Sequence, residues 1–136
     1  MRTQIFALAS LWIMGAMACH SDDAVEQTYA EVLAMHDEVM PKMSTLSGLE
    51  MTIQEMVKDS TYSQFALDSL HRSLDQLGMA EEAMWEWMNQ FKKPEDTDKE
   101  AALRYLSEKK MSINQVGEAM NSSMESAQAL IDRYKK

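Results

Sequence analysis

Apolar residues recur in alternating steps of four and three along three stretches of the chain, at 24–58, 62–93 and 98–135. This spacing places them on one face of a helix, so each stretch predicts a long amphipathic helix. Short connections between long helices make neighbouring helices antiparallel. The pattern therefore predicts one all-α domain over residues 24–136, an elongated up-down-up antiparallel three-helix bundle with coiled-coil-like packing.

Turn and capping residues mark the breaks between these stretches. "KDSTYS", Lys58 to Ser63, separates the first two helices, and "KKPEDTDKE", Lys92 to Glu100, separates the second and third. Thr97 with Glu100 forms a capping-box pattern. Pro41 removes one hydrogen bond inside the first helix. Because the apolar pattern continues in phase through Pro41, we expect a kink or a short break there and no chain reversal.

The N-terminus carries one positive charge, Arg2, and then an apolar run from Ile5 to Met17. The run is too short for a stable membrane span and is typical of a secretory signal peptide. Cys19, the only cysteine, directly follows Ala-Met-Ala, which resembles the lipobox of bacterial lipoproteins. In those proteins the cysteine is acylated and becomes the first residue. A single thiol cannot build a disulfide framework in an exported protein, which favours this interpretation.

We therefore expect a signal peptide at 1–18 and then a lipidated Cys19 opening an acidic tether at 19–23. The alternative is a soluble exported protein cleaved near the same point. The tether sequence "SDD" is similar to the segment that sends lipoproteins of the Bacteroidota to the cell surface. The predicted address is the cell envelope, as an outer-membrane-anchored lipoprotein that is periplasmic or surface-exposed.

The net charge of the chain limits the classes of partner that it can bind. The whole chain has a formal charge of −9, and without residues 1–18 it keeps 12 basic and 22 acidic residues, a charge of −10. This balance argues against nucleic acid as a partner and against binding to anionic lipid by charge. The expected partners are the membrane, through the N-terminal lipid, and an envelope protein.

Polar residues interrupt the apolar stripes at a few positions, namely His36, Glu50, Glu81 and Lys110. If the two reversals are centred near Ser60 and Thr97, facing residue numbers add to about 121 between the first two helices and about 194 between the last two. In that register Glu50 faces His71 and Lys110 faces Met84. The polar exceptions therefore cluster.

A cluster of methionine and histidine suggests two interpretations. His36 and Met40 are four apart, Met43 is one turn further, and Met84 and Met88 are spaced by four on the next helix. Soft ligands of this kind select copper(I), and an extracytoplasmic address suits methionine ligands. However, methionine also fills irregular helical cores, and a methionine stripe at heptad spacing is usually packing. We favour packing and no cofactor, with a copper(I) site as the alternative.

The facing pair Glu50 and His71 could be an acid–base couple or two zinc ligands. No third ligand is at hand, because His20 lies in the predicted tether. A polar pair that fixes the register of the helices is the preferred interpretation. The sequence also contains no glycine-rich phosphate loop and no nucleophile elbow, so we expect no enzyme activity and no catalytic residues.

Two tryptophans in "AMWEWMNQF", Trp85 and Trp87, are two residues apart and cannot face the same seam. At least one should lie at the edge of the bundle, either as part of a contact patch or as a cover over a groove between helices.

The segments "AMHDEVMPKM", "AMWEWMNQF" and "YLSEKKMSINQVGEAMNSSMESAQALI" resemble a group of small lipoproteins from flavobacteria and other Bacteroidota. Some members carry the label viral A-type inclusion protein repeat. The likeness covers most of residues 20–136. It implies lipidation, an envelope location and a helical architecture, and it implies no activity. The expected function is that of a non-catalytic envelope lipoprotein with a structural or protein-interaction role.

Overall fold

The computed structural model describes residues 20–95 and 97–135, and within these ranges the chain is helical with no strand. The helices are α1 (His20–Val39), α2 (Lys42–Met56), α3 (Gln64–Gln90) and α4 (Lys99–Tyr134). The first predicted helix corresponds to α1 and α2 together, except that α1 begins at His20, so residues 20–23 of the predicted tether are helical; the second and third predicted helices correspond to α3 and α4. The predicted all-α three-helix bundle is confirmed.

A break at Met40 and Pro41 divides α1 from α2. The Met40 amide still bonds to the His36 carbonyl at 2.8 Å, and Pro41 keeps helical angles with φ −61° and ψ −23°. Since proline has no amide hydrogen, the Asp37 carbonyl lacks its helical donor there. The chain nevertheless continues in the same direction along α3, as the contacts of Tyr29 with Phe91 and of Glu50 with Gly78 show.

Helix α4 packs against each of the other three helices. It runs antiparallel to α3, because Trp87 bonds to Lys109 and Ser112 while Phe91 stacks near Tyr105. It runs parallel to α1, because Glu31 meets Lys110 and Val39 meets Gly117. Along their described lengths, α1 and α3 have no pair of Cα atoms within 8 Å.

The apolar stripes meet in one continuous core. Its fully buried side chains come from all four helices: Val32, Leu46, Ile53, Leu70, Leu77, Met84, Leu106, Ile113 and Met120. These are positions at which the heptad spacing places apolar residues inside the bundle.

The helix starts follow ordinary capping chemistry, with one shift from the sequence expectation. Ser63 caps α3 by accepting from the Ala66 amide, and Asp98 caps α4 by accepting from the Ala101 amide at 2.9 Å. The predicted cap at Thr97 is therefore wrong by one residue. The Asp98 carboxylate reaches the third amide of the helix, and Glu100 instead pairs with Arg104 on the surface.

Candidate functional site

The stacked aromatic side chains between α1 and α3 form the first distinctive feature of the molecule. Trp87 and Phe91 stack with centroids 4.7 Å apart, Tyr29 stacks on Phe91 at 5.9 Å, and His36 stacks on Trp87 at 5.8 Å. Tyr105 of α4 lies parallel to Phe91 at 6.4 Å. The rings fill the space that separates α1 from α3, so this cluster holds the two helices at a fixed distance.

His36 takes its place in this stack, and its polar partner is Asp37, its neighbour in the sequence. Its ring is 23% exposed, and Nδ1 lies 3.0 Å from the Asp37 carboxylate. The indole of Trp87 covers the imidazole ring, which explains how this position in the apolar stripe accommodates a histidine. Facing residue numbers that add to about 121 put His36 level with Trp85, and the observed stacking partner, Trp87, lies two residues further along.

The four methionines of the predicted soft-metal set are accounted for as packing side chains. Met84 is fully buried, and Met40, Met43 and Met88 are partly buried against the core. Such contacts are what flexible thioethers provide in an irregular core. Copper(I) binding by His36 and these methionines stays a prediction, which competition against a copper(I) chelator would test.

The structure places Glu50 beside Glu81 and not beside His71. The Glu50 Oε1 atom lies 3.9 Å from the position a Cβ would take on Gly78. Burial raises the pKa of Glu50, and the charge of Glu81 raises it further. His71 is exposed, and its Nδ1 lies 2.9 Å from the Leu67 carbonyl one turn back on its own helix. The prediction of this pair assumed one straight helix up to the turn. The break at Pro41 starts a new helix, α2, and so changes the register against α3.

Lys110 also differs from the register expectation, because its ammonium bonds to Glu31 of α1 at 2.6 Å. The hydrogen bond and the charge of Lys110 lower the pKa of Glu31. Both side chains are more than two-fifths exposed, so this pair fixes the relative position of α1 and α4 more than it stabilises the fold.

The two tryptophans separate as expected. Trp87 is buried and donates from Nε1 to the Lys109 carbonyl at 3.2 Å and the Ser112 hydroxyl at 3.0 Å. Trp85 is 49% exposed and lies 3.4 Å from the Glu81 carboxylate. The prediction that one of them lies at the bundle edge is confirmed.

A groove between α3 and α4 is the feature that sequence reasoning missed. It consists of two adjoining depressions of about 330 and 420 Å³ that share Ala83 and Ala119. Its walls are mainly small side chains, among them Ala80, Ser122 and Ser126. We call this surface the α3/α4 groove. The signal available in the sequence was the heptad spacing of small residues just outside the apolar stripe of each helix.

The remaining candidate residues give no further site. The predicted signal peptide and Cys19 lie outside the described residues. Along 20–95 and 97–135, no group of three or more His, Cys, Asp and Glu side chains could hold a metal ion. In the same part of the chain, no helix has the length and apolarity that crossing a bilayer requires.

The fold defines the class of the molecule as an antiparallel helical bundle with an aromatic spacer and a small-residue groove. Comparison with protein-family models, with curated proteins and with solved structures finds no match for this chain.

Proposed function

We propose that this protein is a lipid-anchored cell-envelope lipoprotein with a non-catalytic, structural or protein-interaction role. The observation that carries the proposal is the position of Cys19, the only cysteine, between an apolar signal-like run and the first helix. Since α1 begins at His20, an acyl group on Cys19 would hold the bundle directly at the surface of the bilayer.

The topology supports a defined orientation for such an anchored bundle. Lys93, beyond the end of α3, bonds to Glu26 near the start of α1 at 3.0 Å. At the other end, the Tyr62 hydroxyl donates to the Tyr134 carbonyl. The connection between α3 and α4 therefore faces the membrane on this proposal. The turn between α2 and α3 would stand about 50 Å away, since α4 has 36 residues.

A structural role is supported by the way polar side chains at the helix interfaces are engaged. His36 meets Asp37, Lys110 meets Glu31, and the Trp87 indole donates to Ser112. Each of these contacts positions one helix or holds one side chain. None of them sets a nucleophile beside a base, which is the arrangement that group-transfer chemistry requires.

The anchor is tested with the full chain expressed in a Gram-negative host. We expect radiolabelled palmitate to enter the protein, globomycin to block its maturation, and Cys19→Ala to release it from the membrane fraction. Met17→Ala is the matched control, because a small residue at that position keeps the lipobox acceptable to the processing enzymes. Protease treatment of intact cells then distinguishes a surface-exposed bundle from a periplasmic one.

Unchanged membrane fractionation of the Cys19→Ala protein would contradict the lipid anchor. Release of both variants as soluble protein of the same size would support the alternative of a soluble exported bundle.

A further inference from the structure

Helix α2 is bounded by an interruption of the helical chain at each end. At its start, Pro41 has no amide hydrogen to donate to the Asp37 carbonyl, so the ladder of helical hydrogen bonds is interrupted between α1 and α2. At its other end, residues 57–63 form the turn that leads into α3. A few residues at such a break absorb the backbone rotation of a hinge. Helix α2 is therefore able to move relative to α1 without unwinding either helix.

Two carboxyl groups meet where α2 packs against α3. The Glu50 Oε1 atom lies 3.9 Å from the position that a Cβ would take on Gly78, so the missing side chain of Gly78 makes room for this carboxyl. Glu81 lies three residues beyond Gly78 on α3 and so on the same face of that helix. The interface between α2 and α3 therefore contains a pair of like charges when both groups are ionised.

No positive charge compensates the carboxylate of Glu50. Within the described residues, no group donates a hydrogen bond to this carboxylate or forms an ion pair with it. Burial raises the pKa of Glu50, and the charge of Glu81 raises it further. No other described charged group on α1, α3 or α4, the helices packed against α2, contributes to this shift, and His71 of α3 is exposed with its Nδ1 at 2.9 Å from the Leu67 carbonyl. Ionisation of Glu50 therefore opposes the packing of α2 on α3.

Few buried side chains hold α2 in place. They are Leu46, Leu49 and Ile53, whereas the buried residues of α4 extend from Ala102 to Ile131. Segments with few buried apolar contacts open at a lower free energy than the whole molecule unfolds. Opening of α2 alone therefore exposes much less apolar surface than unfolding of the bundle.

We propose that α2 is a flap, hinged at Met40 and Pro41, which closes firmly on α3 when Glu50 is protonated and opens more readily when Glu50 and Glu81 are both charged. The closed flap binds more protons than the open one, so opening increases as the pH rises above 4.5 and levels off once Glu50 is ionised in the closed form. The open form is a minor state of the folded protein. This pH-sensitive element goes beyond the structural role proposed above and does not depend on the lipid anchor.

Residue-resolved amide hydrogen exchange of the full chain tests whether α2 opens on its own. Under native conditions the protection of a helical amide measures the opening equilibrium of its segment. We expect the amides of residues 49–53 in α2 to be protected at least about tenfold less than those of residues 113–120 in α4. Their protection should also depend less on low concentrations of urea, because opening of α2 exposes less surface.

The role of the two carboxyls is tested by Glu81→Gln, which removes the charge and keeps a side-chain oxygen for the Trp85 indole. The matched control is Glu82→Gln, which removes the same charge from the next residue, an exposed one. At pH 7 we expect Glu81→Gln to slow exchange of the α2 amides by about twofold, the size of a like-charge contact on helices, and Glu82→Gln to leave it unchanged. The effect of Glu81→Gln should disappear as the pH falls below 4.5.

Pro41→Ala tests the hinge, because alanine restores the amide that the Asp37 carbonyl lacks and accepts the helical angles found at this position. We expect the protection of the α2 amides in this variant to rise toward that of the α4 amides. Circular dichroism checks that the variant folds.

Equal protection of α2 and α4 in the parent protein would mean that α2 opens only with the whole bundle, which overturns the flap. Unchanged α2 exchange in Glu81→Gln, or a slowing that persists below pH 4.5, would remove the carboxyl pair as the cause and overturn it as well. An unchanged difference between α2 and α4 in Pro41→Ala would contradict the hinge. None of these measurements involves Cys19, so the lipid anchor is tested separately.

Discussion

Gly117 shows how a single missing side chain sets the distance between α1 and α4. It is buried in the middle of α4, and a Cβ placed on it would lie 3.0 Å from Cγ2 of Val39. Glycine inside a helix costs about 1 kcal/mol relative to alanine. The close approach of Val39 explains why that cost is accepted here. At Gly48, which lies inside α2, no atom is within 4 Å of the same position.

Gly117→Ala and Gly48→Ala should therefore differ in their effect on the free energy of unfolding. We expect Gly48→Ala to raise it by about 0.5–1 kcal/mol from helix propensity alone. Gly117→Ala should gain less, because the new methyl group must displace Val39. In a Val39→Ala background, where that contact is removed, Gly117→Ala should again gain about 1 kcal/mol. Urea denaturation followed by circular dichroism measures the parent and the four variants, and strict additivity of Gly117→Ala and Val39→Ala would contradict this account.

Glu50 predicts a pH dependence of stability. Burial and the charge of Glu81 raise its pKa above the ordinary value of 4.5. The folded state therefore binds more protons than the unfolded state in the window above 4.5, and the free energy of unfolding falls as pH rises through that window. The penalty is fully present once the pH has risen through the pKa of the folded state.

Glu50→Gln removes this penalty, so we expect the variant to be more stable than the parent at pH 7, by roughly 0.5 kcal/mol, the size of a like-charge contact on helices. The difference should disappear as pH falls below 4.5, because the parent carboxyl is then protonated in both states. Thermal unfolding between pH 4 and 7 measures it, with exposed Glu38→Gln on α1 as the control for net charge. A gain that persists at pH 4 would show that packing, and not the charge of Glu50, is responsible.

The polar members of the apolar stripes were identifiable from the sequence, but their partners were not. His36, Glu50 and Lys110 all lie at helix interfaces, as the heptad spacing predicts. Their partners depend on the register and on which neighbouring helix each side chain faces: Glu81 lies ten residues beyond His71 on α3, and Glu31 and Met84 lie on different helices. Long side chains also reach one turn along the helix, so spacing alone cannot fix which charge they meet.

At the scale of elements, the start of α4 shows which of two candidate residues, Thr97 or Asp98, caps the helix, a choice that the sequence alone does not decide. Thr97 fits a capping box with Glu100, whereas Asp98 is the residue whose side chain accepts from the Ala101 amide. A carboxylate also interacts favourably with the positive end of the helix dipole.

Asp98→Ala should lower the free energy of unfolding by about 1 kcal/mol, because an amide at the start of α4 loses its acceptor. Thr97→Ala, one residue earlier, should change it by less than about 0.5 kcal/mol. Thermal and urea unfolding of the two variants decide between the caps. A larger loss of unfolding free energy for Thr97→Ala would show that Thr97, as the capping-box pattern indicated, is the residue that caps α4.

The antiparallel pair of α3 and α4 is the element pair that the sequence predicted best. Trp87 meets Lys109 and Ser112, close to the predicted sum of about 194, because both helices are unbroken and their connection is short. The register of the first predicted helix against α3 changes between its two halves, α1 and α2. Pro41 predicts a break in that helix, but the angle and offset between α1 and α2 depend on the packing of α2 against α3 and α4.

Considering the whole molecule, α4 is the element that joins all others. It packs against α1, α2 and α3, while α1 and α3 meet only through their large side chains. We therefore expect the bundle to unfold in a single transition, with circular dichroism and tryptophan fluorescence giving the same midpoint.

A chain that stops before Lys99, and so lacks α4, should show no cooperative unfolding transition in urea, because α1 loses its main packing surface. A chain that lacks only Arg133 and the residues after it is the control and should still unfold cooperatively. Retention of a cooperative transition without α4 would mean that α1, α2 and α3 form a core of their own.

The bundle, its topology and its buried positions follow from heptad spacing, because few arrangements bury three such stripes at once. The α3/α4 groove does not follow from it. The small side chains Ala83, Ala119 and Ser122 are compatible with either a closed seam or an open groove. Which of the two forms depends on whether another element covers that face of α3 and α4, which spacing does not encode.

The stacked rings of Tyr29, Phe91 and Trp87 have an optical consequence. Tyr29 of α1 is fixed 5.9 Å from Phe91 in a nearly parallel plane, so its share of the near-ultraviolet dichroism exists only while α1 is packed against α3. The helices themselves contribute nothing at those wavelengths. The docking of α1 can thus be followed on the native, label-free protein, separately from its helicity, as salt or detergent is varied.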